Sequence, residues 1–266
     1  MFAYFIDDWV YGRLGRRDLD RIEMRLTGQG VTGRKIRLTR LTNLDQAVVE
    51  NCQEGARTFV AVGDDATAGR LLNSLVRLEN STHTNCAFAA LPVGRATSVA
   101  ASLGASDSEE GILMLVRHQL EKIDLGLLNG RHYFLTRAIF PPQAVFDFAS
   151  YKVSSLFLDH EISICNINPF FAKETQNVIN PQDGFLNAVI AHAPPRKLLE
   201  KILQRGRPES SWYEPVNVFT VRKLYIDAKE KILEVRADYL KQFSAPVTVE
   251  ISPAALTVVV GRSKRF

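Results

Sequence analysis

The residues best placed for chemistry form one short stretch, Gly63-Asp64-Asp65-Ala66-Thr67. Phe59 to Val62, just before it, is an apolar run of the kind a buried parallel strand needs. After it, Leu71, Leu72, Leu75 and Val76 recur on one face of a helix that starts near Thr67. Strand, tight acidic turn and helix is the arrangement with which α/β proteins hold phosphates. The helix N-terminus presents unpaired backbone N–H groups and the positive end of its dipole. Read as a bare pattern, the same stretch is also an ordinary strand-to-helix turn. Two further acidic positions stand out. Asp183-Gly184 is a turn dipeptide, and Asp238 precedes Tyr239 near the end of an alternating run.

The elements that must position these residues change character once along the chain. Phe2 to Ile6 reads as a strand, and Asp18 to Leu26 as a helix with Leu19, Ile22 and Leu26 at helical spacing. Lys35 to Thr39 alternates as a second strand, and Asn43 opens a helix that runs to Glu54-Gly55. Strand 59–62, helix 67–78 and strand 86–91 continue the alternation. Repeated β-α-β predicts an open parallel sheet flanked by helices, a three-layer α/β domain over residues 1–122. Its ligand crevice belongs at the carboxyl ends of the strands, where residues 7–12, 39–43, 63–67 and 92–98 converge. From about residue 123 the pattern is almost all strand: 123–128, 133–139, 156–167, 216–221, 224–227, 232–237, 247–251 and 256–260, with a helix near 194–204. Residues 123–266 are therefore expected to form a second, mainly antiparallel β-sandwich domain, with a cleft between the two.

Composition excludes several classes. With 266 residues and 46% hydrophobic content the chain can bury a core, or two small ones. No stretch approaches the roughly 20 apolar residues that span a bilayer, and Asp7 and Asp8 end the first apolar run too early for a signal peptide. Cys52, Cys86 and Cys165 are widely spaced and lack metal-ligand spacing, so they are expected to be reduced core thiols in a cytoplasmic protein. Net charge is +4, with basic residues gathered at 13–25, 34–40 and 262–265. They read as solvated faces, or as an attraction to anionic lipid headgroups at a peripheral membrane contact. Nothing resembles a nucleic-acid motif, and the oligomeric state cannot be read.

The order of parts resembles the diacylglycerol kinase catalytic-domain family, which includes bacterial lipid kinases and sphingosine kinases. Aligned on Thr67, the 63–67 stretch resembles that family's Gly-Gly-Asp-Gly-Thr signature through Gly63, Asp65 and Thr67. Pro92-Val-Gly94-Arg95, with Ala100 and Leu103-Gly104, is similar to its Pro-Leu-Gly-Thr-Gly-Asn-Asp-Phe-Ala-Arg segment. Residues 123–134 resemble its entry into the β domain, residues 180–190 its Asp-Asp-Gly-Leu-Leu segment, and residues 235–256 its closing strands. NAD kinases share only the first of these.

The resemblance implies phosphorylation of a lipid hydroxyl, diacylglycerol or a sphingoid base, with ATP and Mg²⁺ as cofactors. Such transfer relies on positioning and charge stabilisation. Carried over, Thr39, Gly63, Asp64, Asp65, Ala66, Thr67, Gly94 and Arg95 would cradle the nucleotide. Asp183 would hold the metal with the main-chain carbonyls of Asn180 and Phe185, and Asp124 adds a carboxylate at the cleft edge. Four motifs depart from the pattern. Asp64 and Ala66 replace glycines, and Asp64 sets a carboxylate where phosphate oxygens approach. Arg95 replaces a threonine, and Asp7-Asp8 stands where the family has Asn-Pro. The catalytic Asp-Gly-Glu becomes Ala237-Asp238-Tyr239, so a tyrosine holds the place of the base, with Asp238 as fallback if the loop shifts by a residue. Two readings follow: a divergent lipid kinase, or a non-catalytic pseudokinase that binds a lipid, a nucleotide or a partner.

Overall fold

The computed structural model describes residues 1–13, 15–94, 97–155, 157, 159–168, 179–192, 214–228 and 232–266. It divides the chain into two units: Met1–Ile123 with Ala255–Arg265, and Asp124–Ala254 with Phe266.

The first unit alternates strands and helices: β1 (Phe2–Asp7), a 3-10 turn (Asp8–Tyr11), α1 (Arg16–Gly28), β2 (Gly33–Leu38), α2 (Leu44–Gln53), β3 (Thr58–Gly63), α3 (Asp65–Thr82), β4 (Ala87–Pro92), α4 (Ser98–Leu103) and α5 (Ser108–Arg117). The strands are parallel in the order β2-β1-β3-β4, with Ile6 beside both Arg37 and Val62. β3 and β4 are buried along their whole length, as continuous apolar runs in a covered parallel sheet should be. α1 packs with α5, and α2 with α3. Helix starts follow local chemistry. Asn43 caps α2 through Gln46 N–H at 3.2 Å. Asp107 caps α5 through Glu110 N–H at 2.9 Å, and the Glu110 carboxylate accepts from Ser106 N–H, just before the cap, at 2.9 Å. Leu19, Ile22 and Leu26 are the buried face of α1, as their spacing predicts.

Residues 255–265 also belong to this unit, which corrects their placement in a second domain 123–266. Thr257 and Val258 pair parallel with Ala87 and Phe88 of β4. Sequence pattern cannot show such a return, because a strand's partner is set by register rather than by neighbours in the chain. The helices α4 and α5 are likewise not among the expected elements.

From Gln119 on the chain is β-rich: β5 (Gln119–Leu128), β6 (His132–Phe134), β7 (Arg137–Phe140), β8 (Val145–Asp147), β9 (Lys152–Ser154), β10 (His160–Cys165), β11 (Leu186–His192), β12 (Glu214–Val221), β13 (Lys223–Asp227), β14 (Ile232–Ala237), β15 (Tyr239–Ser244) and β16 (Val247–Val260). One antiparallel sheet runs β12-β11-β10-β7-β14-β15. In the other, the first residues of β16 pair antiparallel with β13, β13 with β8, and β8 with β9. The two inner faces meet in one apolar core that includes Phe134, Phe140, Phe146, Ile164, Leu224 and Val247. Two expected strands, 247–251 and 256–260, are one strand, β16. The expected strand 133–139 is broken between β6 and β7. The helix expected near 194–204 lies outside the described residues. No helix among the described residues is long and apolar enough to cross a membrane.

Candidate functional site

Three carboxylates and a threonine cluster where β1 and β3 end and α3 begins. Gly63, at φ +152°, turns the chain where an added Cβ would stand 3.2 Å from Asp7 Cβ and 3.3 Å from Thr67 Oγ1. Glycine is required there. Thr67, fully buried, donates its hydroxyl to Asp7 Oδ2, and Arg70 donates to the same oxygen at 2.9 Å. Asp7 and Arg70 are thus parts of the cluster that the sequence reading did not list as site residues. The signals were present: Asp7 ends the first strand, and Arg70 follows Thr67 by three residues, one helical turn.

Asp64 adopts an extended backbone (φ −104°, ψ −179°) and its Oδ1 accepts from Thr67 N–H at 2.9 Å. It is the N-cap of α3. This explains an aspartate at a position where the family has glycine: nothing in its conformation needs glycine, and aspartate is a preferred cap. Asp65 reaches across to α4, whose first amides, Ser98 and Val99, each donate to its carboxylate at 2.9 Å. Thr97 Oγ1 takes the next amide, Ala100, at 3.2 Å. Burial pushes the Asp65 carboxyl above its ordinary 3.8, against those amides and the Thr97 hydroxyl that pull it down, and the Asp64 charge adds to the rise. Both helix N-termini that could meet a phosphate therefore carry the chain's own carboxylates.

The other carried-over positions lie further out. Thr39, exposed, shares its hydroxyl with Thr42 at 3.0 Å and accepts from Leu41 N–H at 3.3 Å, closing the turn into α2. Gly94, at φ +71°, lies in the loop after β4, and a Cβ there would be 3.6 Å from Asp18 Oδ2. Ala66 is partly buried in the first turn of α3. Arg95 lies outside the described residues. Elsewhere in this unit a cavity of about 250 Å³ opens beside α1, lined by residues such as Tyr4, Ile22, Leu26 and Lys35, and none of the carried-over residues lines it.

In the second unit, Asp183 Oδ1 accepts from Phe185 N–H at 2.9 Å and Asn180 Oδ1 from Gln182 N–H at 3.1 Å. Burial, then the nearby Asp124 charge, raise the Asp183 carboxyl against the Phe185 amide. Asp124 is a buried tie point of this unit: its carboxylate accepts from Gly184 N–H at 2.8 Å and Ala254 N–H at 2.6 Å. Its own N–H donates to Pro181 at 2.6 Å. It holds the Asp183 turn from beneath.

Asp238 is left-handed, at φ +56°. Its carboxylate accepts from Leu135 N–H at 2.6 Å, Thr136 N–H at 3.0 Å and the Thr136 hydroxyl at 2.5 Å. Those amides are the ones missing from the ladder between β6 and β7. A left-handed residue suits glycine first and aspartate or asparagine next, so the backbone at Asp238 is compatible with the glycine that the family resemblance sets at this position. Tyr239, the first residue of β15, pairs with Ala237.

Several cations of the basic clusters are paired: Lys35 with Glu23 at 2.8 Å, Arg37 with Asp8 at 2.6 Å, Arg16 with Asp20 at 3.0 Å, and Lys264 with Glu121.

No curated protein matches this sequence. Solved structures that carry the diacylglycerol kinase name, from Bacillus anthracis str. Sterne, share the fold. One aligns over 98% of this chain and 97% of its own at a TM-score of 0.67 and 14% identity. A second does so over the same shares at 0.71 and 13%. The sequence profile described as the diacylglycerol kinase catalytic domain matches residues 11–128. Residues 11–128 thus match the diacylglycerol kinase catalytic domain, on a chain with the fold of those bacterial structures.

Proposed function

We propose that this chain is a diacylglycerol-kinase-like protein that binds a lipid alcohol of the diacylglycerol or sphingoid-base kind, and that its ATP- and Mg²⁺-dependent transfer to that hydroxyl is impaired. One observation carries the reading: Asp64 takes the Thr67 amide in the first turn of α3, and Asp65 takes the first two amides of α4. An incoming triphosphate would have to displace two anions from donors they already satisfy. Arg70, the nearby cation that would offset that charge, is committed to Asp7. The residues present therefore fit ATP poorly, and no transfer step is assigned to them.

A hard cation fits better. Asp183 sits beside the buried Asp124 charge, and both burial and that charge disfavour its anion. Asp183, with the main-chain carbonyls of Asn180 and Phe185, would hold Mg²⁺ by oxygen ligands and supply charge neutralisation there. The base is the other gap. Asp238 spends its carboxylate on three donors, and a tyrosine follows it. A divergent but active kinase is the second reading, favoured by the retention of the full two-domain fold.

The deciding experiment incubates the protein with labelled ATP, Mg²⁺ and mixed vesicles of diacylglycerols and sphingoid bases, alongside vesicle co-sedimentation. The proposal expects sedimentation with vesicles and no labelled lipid. Labelled lipid above a heat-killed control makes the second reading correct.

A further inference from the structure

We infer that Asp159, His160 and His192 form a zinc site on the β-rich unit, at the far end of the β10–β11 pair from the Asp183 turn. His160 and His192 stand directly opposite each other in the antiparallel register. The other end of that register is Cys165 opposite Asn187. Five residue steps separate the ends, roughly 17 Å along the strands, so the site is remote from the residues considered above.

Each of the three side chains offers a ligand atom, and these atoms lie within 4.8 Å of one another. His192 Nδ1 is buried with no hydrogen-bond partner and lies 3.7 Å from Asp159 Oδ2. That separation is too long for a hydrogen bond. It is close to the spacing of about 3.4 Å between two ligand atoms on a tetrahedral zinc ion. Closing the rest of the gap needs only a rotamer adjustment, and Asp159 is exposed and able to make it.

Ser155 holds one nitrogen of His160. Its Nδ1 lies 2.8 Å from Ser155 Oγ. Ser155 has a single hydroxyl proton, and that proton goes to the Phe157 carbonyl at 3.0 Å. In the zinc-loaded site the serine would accept from His160 Nδ1–H, and Nε2 would meet the metal. A histidine that donates from one nitrogen to a fixed oxygen and presents the other is the usual support of a metal-ligating imidazole. Two imidazoles and one carboxylate suit Zn²⁺ and leave a fourth position for water.

The test uses the full chain, stripped with a chelator and then titrated with ZnCl₂ against a chromophoric competitor. Co²⁺ serves as a spectroscopic substitute. We expect a single equivalent bound at low micromolar concentration or tighter. The Co²⁺ complex should show four-coordinate absorption without a thiolate charge-transfer band. His160→Ala and His192→Ala should each weaken binding by at least about a hundredfold, and Ser155→Ala by about tenfold. If a histidine variant misfolds, the exposed Asp159→Asn decides on its own through the same loss of affinity. Zinc binding unaffected by these substitutions, a thiolate band, or no binding at all overturns the site.

Discussion

The sharpest prediction separates the charge of Asp64 from its capping role. Asp64→Asn keeps an oxygen for the Thr67 amide, since asparagine caps as well as aspartate, and deletes one negative charge. Asp64 is exposed, so a water-like dielectric applies, and one unit charge at 4 Å is worth about 1 kcal/mol. Mg·ATP affinity should rise by about fivefold. Asp64→Gly with Ala66→Gly removes the charge and also frees the amide that Asp64 now holds at 2.9 Å. A hydrogen bond from that amide to a charged phosphate adds about 1.5 kcal/mol, for a total near 2.5 kcal/mol, or roughly sixtyfold. The helix loses its cap at a few tenths of a kcal/mol, and glycine for Ala66 costs about 1 kcal/mol. The chain should tolerate that loss, given stabilities of about 5–15 kcal/mol. Calorimetry should therefore rank the double variant above Asp64→Asn, and Asp64→Asn above wild type. Phosphorylated lipid should appear in none of them until Ala237-Asp238-Tyr239 is rebuilt as Asp-Gly-Glu. Equal affinities across the series, or micromolar Mg·ATP binding by wild type, would refute the self-capping argument.

Asp124→Asn should cost about 2 kcal/mol in urea melts, because one of the two buried amides it serves, Gly184 or Ala254, loses its acceptor. Asp238→Ala should destabilise by about 3 kcal/mol, through lost acceptors at Leu135 and Thr136 and a Cβ at φ +56°. Asp238→Gly should fall between it and wild type, since glycine accepts that φ freely. The three buried thiols should resist Ellman's reagent in the native state and react only in denaturant, with Cys86 pushed to about 12 by burial and then by Cys52, whose sulfur is 3.8 Å away. Asp65, raised above 3.8 on folding mainly by burial, contributes stability that is full below 3.8 and lost as pH rises through its folded value. Stability difference curves should therefore show wild type falling relative to Asp65→Asn above about pH 4.

Much of the first unit was legible because its signals are local. Apolar runs mark β3 and β4, and helical spacing marks α1 and α3. Elements held by distant partners were not. α4 has only six residues, too few to show a period, and its first amides are satisfied by Asp65 from another helix. The break between β6 and β7 depends on Asp238, a hundred residues later in the chain, and no window around Leu135 contains it. The return of residues 255–265 to the first unit is of the same kind.

Asp64 and Asp238 show why substitutions in a motif are hard to interpret by chemistry alone. In sequence, Asp64 reads as an obstacle to phosphate. Its extended backbone and bond to Thr67 make it a helix cap, so the carboxylate that the proposed reading sets against phosphate is also the one that stabilises α3. Asp238 reads as a fallback base, provided the loop shifts by one residue. Its left-handed backbone and the donors on its carboxylate hold the register in place. A slip would put Ala237 or Tyr239 into that conformation, at about 1–2 kcal/mol each for a residue with a Cβ, and would leave the Leu135 and Thr136 amides without their acceptor. If the proposed alignment with Asp-Gly-Glu holds, the missing glutamate falls at Tyr239, and recovery of a base there requires substitution rather than a loop rearrangement.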